Sequence, residues 1–366
     1  MNHGEAGSWN SVNTDGNMVL YNGSAYNTWF RGVNGSGYFA IGYASSKDGV
    51  NWQVLGHPVL PAAPPWVGAI GGPFEPSVIW NGTRYLMYYT SHSSPPEKDI
   101  GLAVSKDMIH WTEYPNNPII RPGPGAYDSE WVAYPSVVYE PPLYKMWYTG
   151  QDIGTKTETV GYASSLDGMH WNKLGGNPVL TSQSTKSSNY NEVRYPSVVR
   201  VGSGYLMAFY AYLPSEGDIL YASSNDGLNW TAGSSPLLRT GGNTSSWDYH
   251  VSSPALVYNG SQISLYYSGG TGNFGSTSPY YTSIGLAPCH FVFISEIQTI
   301  THSLTIIQTA TIAETTTLTK TSTVTSSVIG RVYNPEFEAL SAILAVGLVG
   351  TGWLLVRQRR RGPRPG

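Results

Sequence analysis

Cysteine is almost absent from this 366-residue chain. Cys289 stands alone, so no intrachain disulfide is available and the fold must hold by packing. Charge is scarce too. Asp, Glu, Lys and Arg make up 12% of the residues, about half the usual share, which fits neither a disordered polyelectrolyte nor a helical bundle. The body has no basic excess. The formal net charge is −3, yet Arg357, Arg359, Arg360, Arg361 and Arg364 all sit in the tail; without them the rest stands at −8, a poor match for nucleic acid. The first residues, MNHGEAGSWN, lack the apolar h-region of a secretory signal.

Aromatics and glycine are plentiful, with 27 Tyr, 12 Trp and 42 Gly. That mixture suits short strands joined by tight turns. Four segments align directly: IGYASSKDGVNW (41–52), IGLAVSKDMIHW (100–111), VGYASSLDGMHW (160–171) and ILYASSNDGLNW (219–230). Their tryptophans lie 59, 60 and 59 residues apart. HPVL, NPII, NPVL and SPLL follow them. FEPSVIWNGTRYLMYYT (74–90), AYPSVVYEPPLYKMWYT (133–149), RYPSVVRVGSGYLMAFY (194–210) and SSPALVYNGSQISLYYS (252–268) alternate with them. DGNMVLYNGSAYNTWF (15–30) is a degenerate first copy, and SIGLAP (283–288) ends a fifth that lacks the DGxxW hairpin. A period near sixty residues built from strands and turns predicts an all-β, five-bladed β-propeller over 1–296, with four strands per blade.

Antiparallel strands put the A–B and C–D turns on one face. The B–C loops and D-to-A crossings fall on the other, which is where a site is expected. Asp48, Asp107, Asp167 and Asp226 recur in every full blade, so they read as turn residues, because a catalytic group is needed once. Asp128 and Asp248 follow an aromatic in a looser recurring pattern and are discounted for the same reason.

After the body, 297–338 is Thr-rich and reads as a stalk whose alternation is also compatible with strands. Residues 339–356, ALSAILAVGLVGTGWLLV, carry no charge and predict one transmembrane helix, with 357–366 as a basic cytoplasmic tail. The propeller is then expected outside the cell membrane, and an upstream start is expected to supply the missing signal. Six N-x-Ser/Thr sequons, at Asn22, Asn34, Asn81, Asn229, Asn243 and Asn259, agree with an outside, glycosylated body.

The blade pattern PSV…YxMYYT…IGYASSxDGxxW…NPVL resembles the five-bladed propeller glycoside hydrolases, the group around families 32, 43, 68 and 130. The resemblance implies glycosidic-bond chemistry on a carbohydrate in the central funnel. In family 43 the acids lie on inner strands of different blades, often just before a Pro. Here those positions hold Gly16, Glu75, Tyr134, Tyr195 and Ser253, so only Glu75 is acidic. Arg194-Tyr195-Pro196 stands where family 32 has Arg-Asp-Pro, and no WMNDPNG-like motif is present.

Asp15, Glu75 and Glu192 are non-recurring acids on the funnel side and are the candidate catalytic residues: Asp15 as base, Glu192 as acid, Glu75 as modulator or alternative acid. Two carboxyls must flank the scissile bond, ~6.5–9.5 Å apart for inversion or ~5–5.5 Å for retention. Arg31, His92, Arg194 and His250 are candidates for binding sugar hydroxyls or a phosphate. Tyr134, Tyr195 and Trp131 are candidates for stacking on sugar faces. No cofactor and no metal are predicted; an axial calcium, as in some family 43 members, would fall to His250. A non-catalytic propeller that binds glycans or a partner is the competing reading, and the missing Asp residues favour it.

Overall fold

The computed structural model describes residues 4–5, 7–61, 72–94, 97–124, 126–185, 189–213, 217–240, 248–270 and 282–288, together with the backbone of 302–307 and 319–324. Five antiparallel sheets follow one another in sequence. Blade one runs β1 (Asn13–Tyr21), β2 (Tyr26–Val33), β3 (Phe39–Ser46) and β4 (Gln53–Val54). Blade two runs β5 (Phe74–Trp80), β6 (Tyr85–Ser94), β7 (Glu97–Ser105) and β8 (Trp111–Glu113). Blade three is β9 (Trp131–Glu140), β10 (Leu143–Gln151), β11 (Glu158–Ser165) and β12 (Asn172–Lys173). Blade four is β13 (Glu192–Val201), β14 (Gly204–Tyr212), β15 (Gly217–Ser224) and β16 (Thr231–Ala232). Among the described residues blade five has three strands, β17 (His250–Tyr258), β18 (Ile263–Gly270) and β19 (Thr282–Pro288). The first strand of each blade touches the first strand of the next, and β17 touches β1, so the ring closes as a five-bladed propeller.

Each blade interface is an apolar sandwich stitched by a repeated polar bond. The fourth residue of the second-strand motif donates its ring N–H or hydroxyl to a turn carbonyl of the next blade: Trp29 to Met108, Tyr88 to Gly168, Trp147 to Gly227 and Tyr266 to Gly49. Blade four has Ala208 at this position, facing the blade that lacks the DG turn. Donor and acceptor are thus missing together, which avoids burying an unpaired group. Ser77, Ser136 and Ser197 accept backbone N–H bonds from Val137, Val198 and Leu256 of the following blade.

The recurring aspartates close their own turns. Asp167 Oδ1 accepts from the N–H groups of Met169 and His170 and from the Ser165 hydroxyl, and Asp48, Asp107 and Asp226 repeat the arrangement. These bonds hold all four carboxyls well below the usual range. Asp128 and Asp248 likewise recur as acceptors for equivalent tyrosines, Tyr148 and Tyr267.

Three sequons have a local explanation. Asn22, Asn81 and Asn259 open the A–B turns, where each side-chain oxygen accepts two backbone N–H bonds. The Asn81 and Asn259 amides also donate to Tyr144 and Tyr26 of neighbouring blades, so turn chemistry by itself accounts for the Asn-Gly-Ser/Thr repeats. β20 (His302–Ile307) and β21 (Thr319–Val324) pair as an antiparallel hairpin inside the Thr-rich tract. By its contacts the chain divides into two compact units, and the tract falls in the second. No helix among the described residues is long and apolar enough to cross a membrane; the predicted span, 339–356, and the tail after it lie outside the described residues. Asn243 lies outside them as well.

Candidate active site

The site grows from a defect repeated five times. In every innermost strand one extra residue interrupts the register: between Asp15 and Met18, Phe74 and Ser77, Ala133 and Ser136, Arg194 and Ser197, and Ser252 and Ala255. Each bulge places one residue in the left-handed region: Gly16, Glu75, Tyr134, Tyr195 and Ser253, at φ of 56°, 48°, 56°, 54° and 44°. Only the glycine takes that conformation freely, so the other four store strain of about 1 kcal/mol or more apiece. Glu75, Tyr134, Tyr195 and Ser253 line the axial cavity below this ring. At about 60 Å³ that cavity holds water but no sugar, since small-molecule sites run to ~300–1,000 Å³.

Hydroxyls of the preceding blade steady three of the bulges. The N–H groups of Tyr134, Tyr195 and Gly16 donate to Thr90, Thr149 and Ser268 at 2.8, 3.2 and 3.0 Å. At the two remaining interfaces the equivalent hydroxyl is replaced by Arg31 and by Tyr210. The repeat is therefore broken at the residues that carry charge or a large aromatic ring.

Arg31 grips Asp15 as a two-pronged fork, Nε to Oδ1 at 2.6 Å and Nη2 to Oδ2 at 2.7 Å. The Thr282 hydroxyl donates to Asp15 Oδ2 at 3.0 Å, and the guanidinium lies over Phe39 and Phe74. Asp15 is thus a fixed carboxylate with both oxygens engaged. Glu75 sits beside this pair. A Cβ on Gly16 would come within 2.7 Å of Glu75 Oε1, so glycine at 16 makes the room that the carboxyl occupies. Ser253 donates to the same oxygen at 3.1 Å. Burial pushes the Glu75 carboxyl up to about 7, against the pull of Arg31 and with the Asp15 charge adding to the rise.

A second cluster lies across the ring. Arg194 Nη1 holds Glu158 at 3.2 and 3.3 Å, and its guanidinium lies 5.1–5.4 Å from the ring centroids of Tyr195, Tyr210 and Tyr212. Burial raises the Glu158 carboxyl despite Arg194 and Lys98. Glu192 opens β13 half-buried, also raised by burial, with the Glu158 charge adding and Arg194 opposing. Lys98 Nζ stands 3.8 Å from the Trp131 ring centroid and donates to the Tyr134 hydroxyl at 3.2 Å.

The predicted residues divide accordingly. Asp15, Arg31 and Glu75 come together, as do Glu192, Arg194, Tyr134 and Tyr195. Tyr134 and Tyr195 pack against one another with their rings tilted, centroids 4.1 Å apart, and Lys98 covers one face of Trp131. His92 stacks on Phe74, and His250 is buried on β17 against Tyr249. Among the described residues no group of three or more His, Cys, Asp or Glu could hold a metal. Glu158 and Lys98 escaped the sequence reading. Glu158 begins β11 and Lys98 is the second residue of β7, at a position held elsewhere by Phe39, Gly217 and Thr282, and a comparison of that column across blades would have exposed them.

Comparison with known proteins agrees with the geometry. Residues 98–250 match the Glycosyl hydrolases family 32 N-terminal domain. An uncharacterized protein of Mycobacterium tuberculosis is 29% identical over 226 residues, 57% of this chain and 71% of that protein. A thermostable family-43 glycoside hydrolase superposes with a TM-score of 0.61 at 17% identity, over 80% of this chain and 94% of its own. Fructan 1-exohydrolase IIa from Cichorium intybus superposes with a TM-score of 0.53 at 16% identity, over 74% of this chain and 53% of its own. By its repeat, its five closed blades and these likenesses, the chain belongs to the five-bladed β-propeller superfamily of the glycoside hydrolases.

Proposed function

We propose that the chain acts on glycosidic bonds of an oligo- or polysaccharide bound over the axial ring, with Glu75 as the group that exchanges the proton. One observation carries the reading. A buried carboxyl with a pKa near 7 stands in a strained bulge on the axis, in the one blade whose preceding neighbour supplies an arginine. Such a carboxyl is half protonated at neutral pH and can deliver a proton to a leaving oxygen. This division of labour differs from the one the sequence suggests. Asp15, with both oxygens held by Arg31, orients and charges the site, while Glu192, half-exposed at the funnel rim, is the carboxylate left to activate water. The fold of a fructan exohydrolase is compatible with a furanoside substrate, at an identity that speaks for the fold alone. We extend the proposal to location: residues 339–356 and the arginines after them would anchor the propeller at a membrane, tested by carbonate extraction and protease protection of the full chain.

The test of activity is a screen on nitrophenyl glycosides, arabinan and fructan, followed by Glu75→Gln. Loss of a general acid costs about 10²- to 10⁴-fold in kcat, and the wild-type rate should fall above about pH 7. An active protein whose Glu75→Gln variant keeps its rate and pH profile would remove Glu75 from the mechanism. The engagement of Asp15 by Arg31 favours a second reading, a propeller that binds glycan without cleaving it; saturable binding with no turnover on any substrate would select it.

A further inference from the structure

Lys98 is a cation with no carboxylate of its own. It is largely buried, its ammonium faces the Trp131 ring, and its one hydrogen bond among the described residues goes to the neutral Tyr134 hydroxyl. An ammonium has three donors, so two remain to be met. Arg194, across the same tyrosine pair, spends Nη1 on Glu158 and keeps a buried Nε with no acceptor. Burial lowers the Lys98 pKa and Arg194 adds to the fall, while the Tyr195, Glu158 and Glu130 charges oppose it. The Glu158 charge is answered by Arg194, and the Asp15 charge by Arg31. Buried cations with unspent donors beside a ligand site are the arrangement that recognises an oxyanion.

We propose that Lys98 and Arg194 form an anion subsite in the funnel, so that the ligand bears an oxyanion: the carboxylate of an acidic sugar residue or a phosphate group. This rests on the carbohydrate reading above, but it concerns binding and does not require turnover. The Tyr134–Tyr195 pair forms the apolar floor between the two cations, and Tyr210 and Tyr212 flank Arg194. A neutral pyranoside or furanoside would leave both sets of donors dry and unpaired, which is the source of discrimination.

The experiment is titration calorimetry of the full chain with three probes: a uronic-acid oligosaccharide, its neutral counterpart and inorganic phosphate. The acidic oligosaccharide should bind about 10- to 100-fold more tightly than the neutral one, and the preference should shrink as salt rises. Lys98→Gln should abolish the preference, partly by relieving the penalty on the neutral sugar, and Lys98→Arg should retain most of it. Saturable phosphate binding that is lost in Lys98→Gln would support the subsite and assign it to free phosphate. Equal affinity for acidic and neutral sugars, with no phosphate binding, overturns the proposal. Acid preference without hydrolysis of any glycoside would sink the catalytic reading and keep this one. A melting temperature within a few degrees of wild type confirms that Lys98→Gln is folded; if it is not, Lys98→Met and the salt dependence of the wild type decide.

Discussion

Replacing Glu75 by Gln should make the propeller more stable at pH 8 and leave it unchanged near pH 4.5. Glutamine keeps the shape of the side chain and can still accept from Ser253, so the main change is the removal of a charge from the axis. The sign follows from proton binding. Between the ordinary value of 4.5 and the folded value of about 7, the native state holds a proton that the unfolded chain has released, so raising the pH favours unfolding. Wild-type stability from this group is complete below about pH 4.5, is lost progressively as pH rises to about 7, and is flat above. The gap between 4.5 and about 7, at about 1.4 kcal/mol per pH unit, comes to about 3.5 kcal/mol, or roughly 5–10 °C in Tm. Arg31 and Lys98 already hold the rise down, and Asp15 and burial drive it, so the figure measures the net cost of a carboxylate in that place. The assay is thermal or urea unfolding of both proteins from pH 4.5 to pH 8.5. A difference that stays constant across the range would refute the buried, proton-holding Glu75 on which the catalytic reading depends.

Asp15→Asn strands Arg31 over Phe39 and Phe74 without its counter-charge and should cost about 3 kcal/mol; a double-mutant cycle with Arg31→Gln, read by urea unfolding, should show coupling, and additive losses would deny it. Trp147→Phe removes the bond to the Gly227 carbonyl across a blade interface and should lower stability by about 1–3 kcal/mol, with Tyr88→Phe costing about 1 kcal/mol through Gly168; unchanged denaturant midpoints would show the stitches to be idle. Asp167→Ala opens a turn and should cost about 1–2 kcal/mol, yet leave ligand affinity and kcat untouched, whereas an activity loss at wild-type stability would return the recurring aspartates to the list of functional groups.

The scaffold was legible because it is written four and a half times. A period fixed to within one residue, with DG and NG turns at constant offsets, dictates blade number and hairpin register. The demotion of Asp48, Asp107, Asp167 and Asp226 followed from the same repetition, and their bonds to their own turns give the physical reason. Pairings across blades were not legible. Nothing local in the sequence says that Asp15 meets Arg31, that Gly16 is small so that Glu75 can fit, or that Tyr134 and Tyr195 pack against one another. Those contacts are set by the angle between sheets and by five bulges that turn side chains to the axis. Three of the sequons have a second origin: a turn requirement repeated across blades produces Asn-Gly-Ser/Thr whether or not a glycan is attached.

Repetition also supplies a way to find function that needs no relative. In a ring of near-identical units, packing asks the same thing of each blade, so a column that varies is released from that demand or bent to another. The column of bulge-steadying hydroxyls reads Arg31, Thr90, Thr149, Tyr210, Ser268; the column at the start of the third strands reads Phe39, Lys98, Glu158, Gly217, Thr282. Ala208 shows that a departure can still be structural, since its blade faces a neighbour without the accepting turn. Arg31, Lys98 and Glu158 have no such excuse. Each brings charge to a place where its neighbours bring a hydroxyl, a ring or nothing, and burial makes that charge costly unless something uses it. The three surround the one strained ring on the axis, which is where the departures from symmetry, the raised carboxyls and the unspent donors coincide.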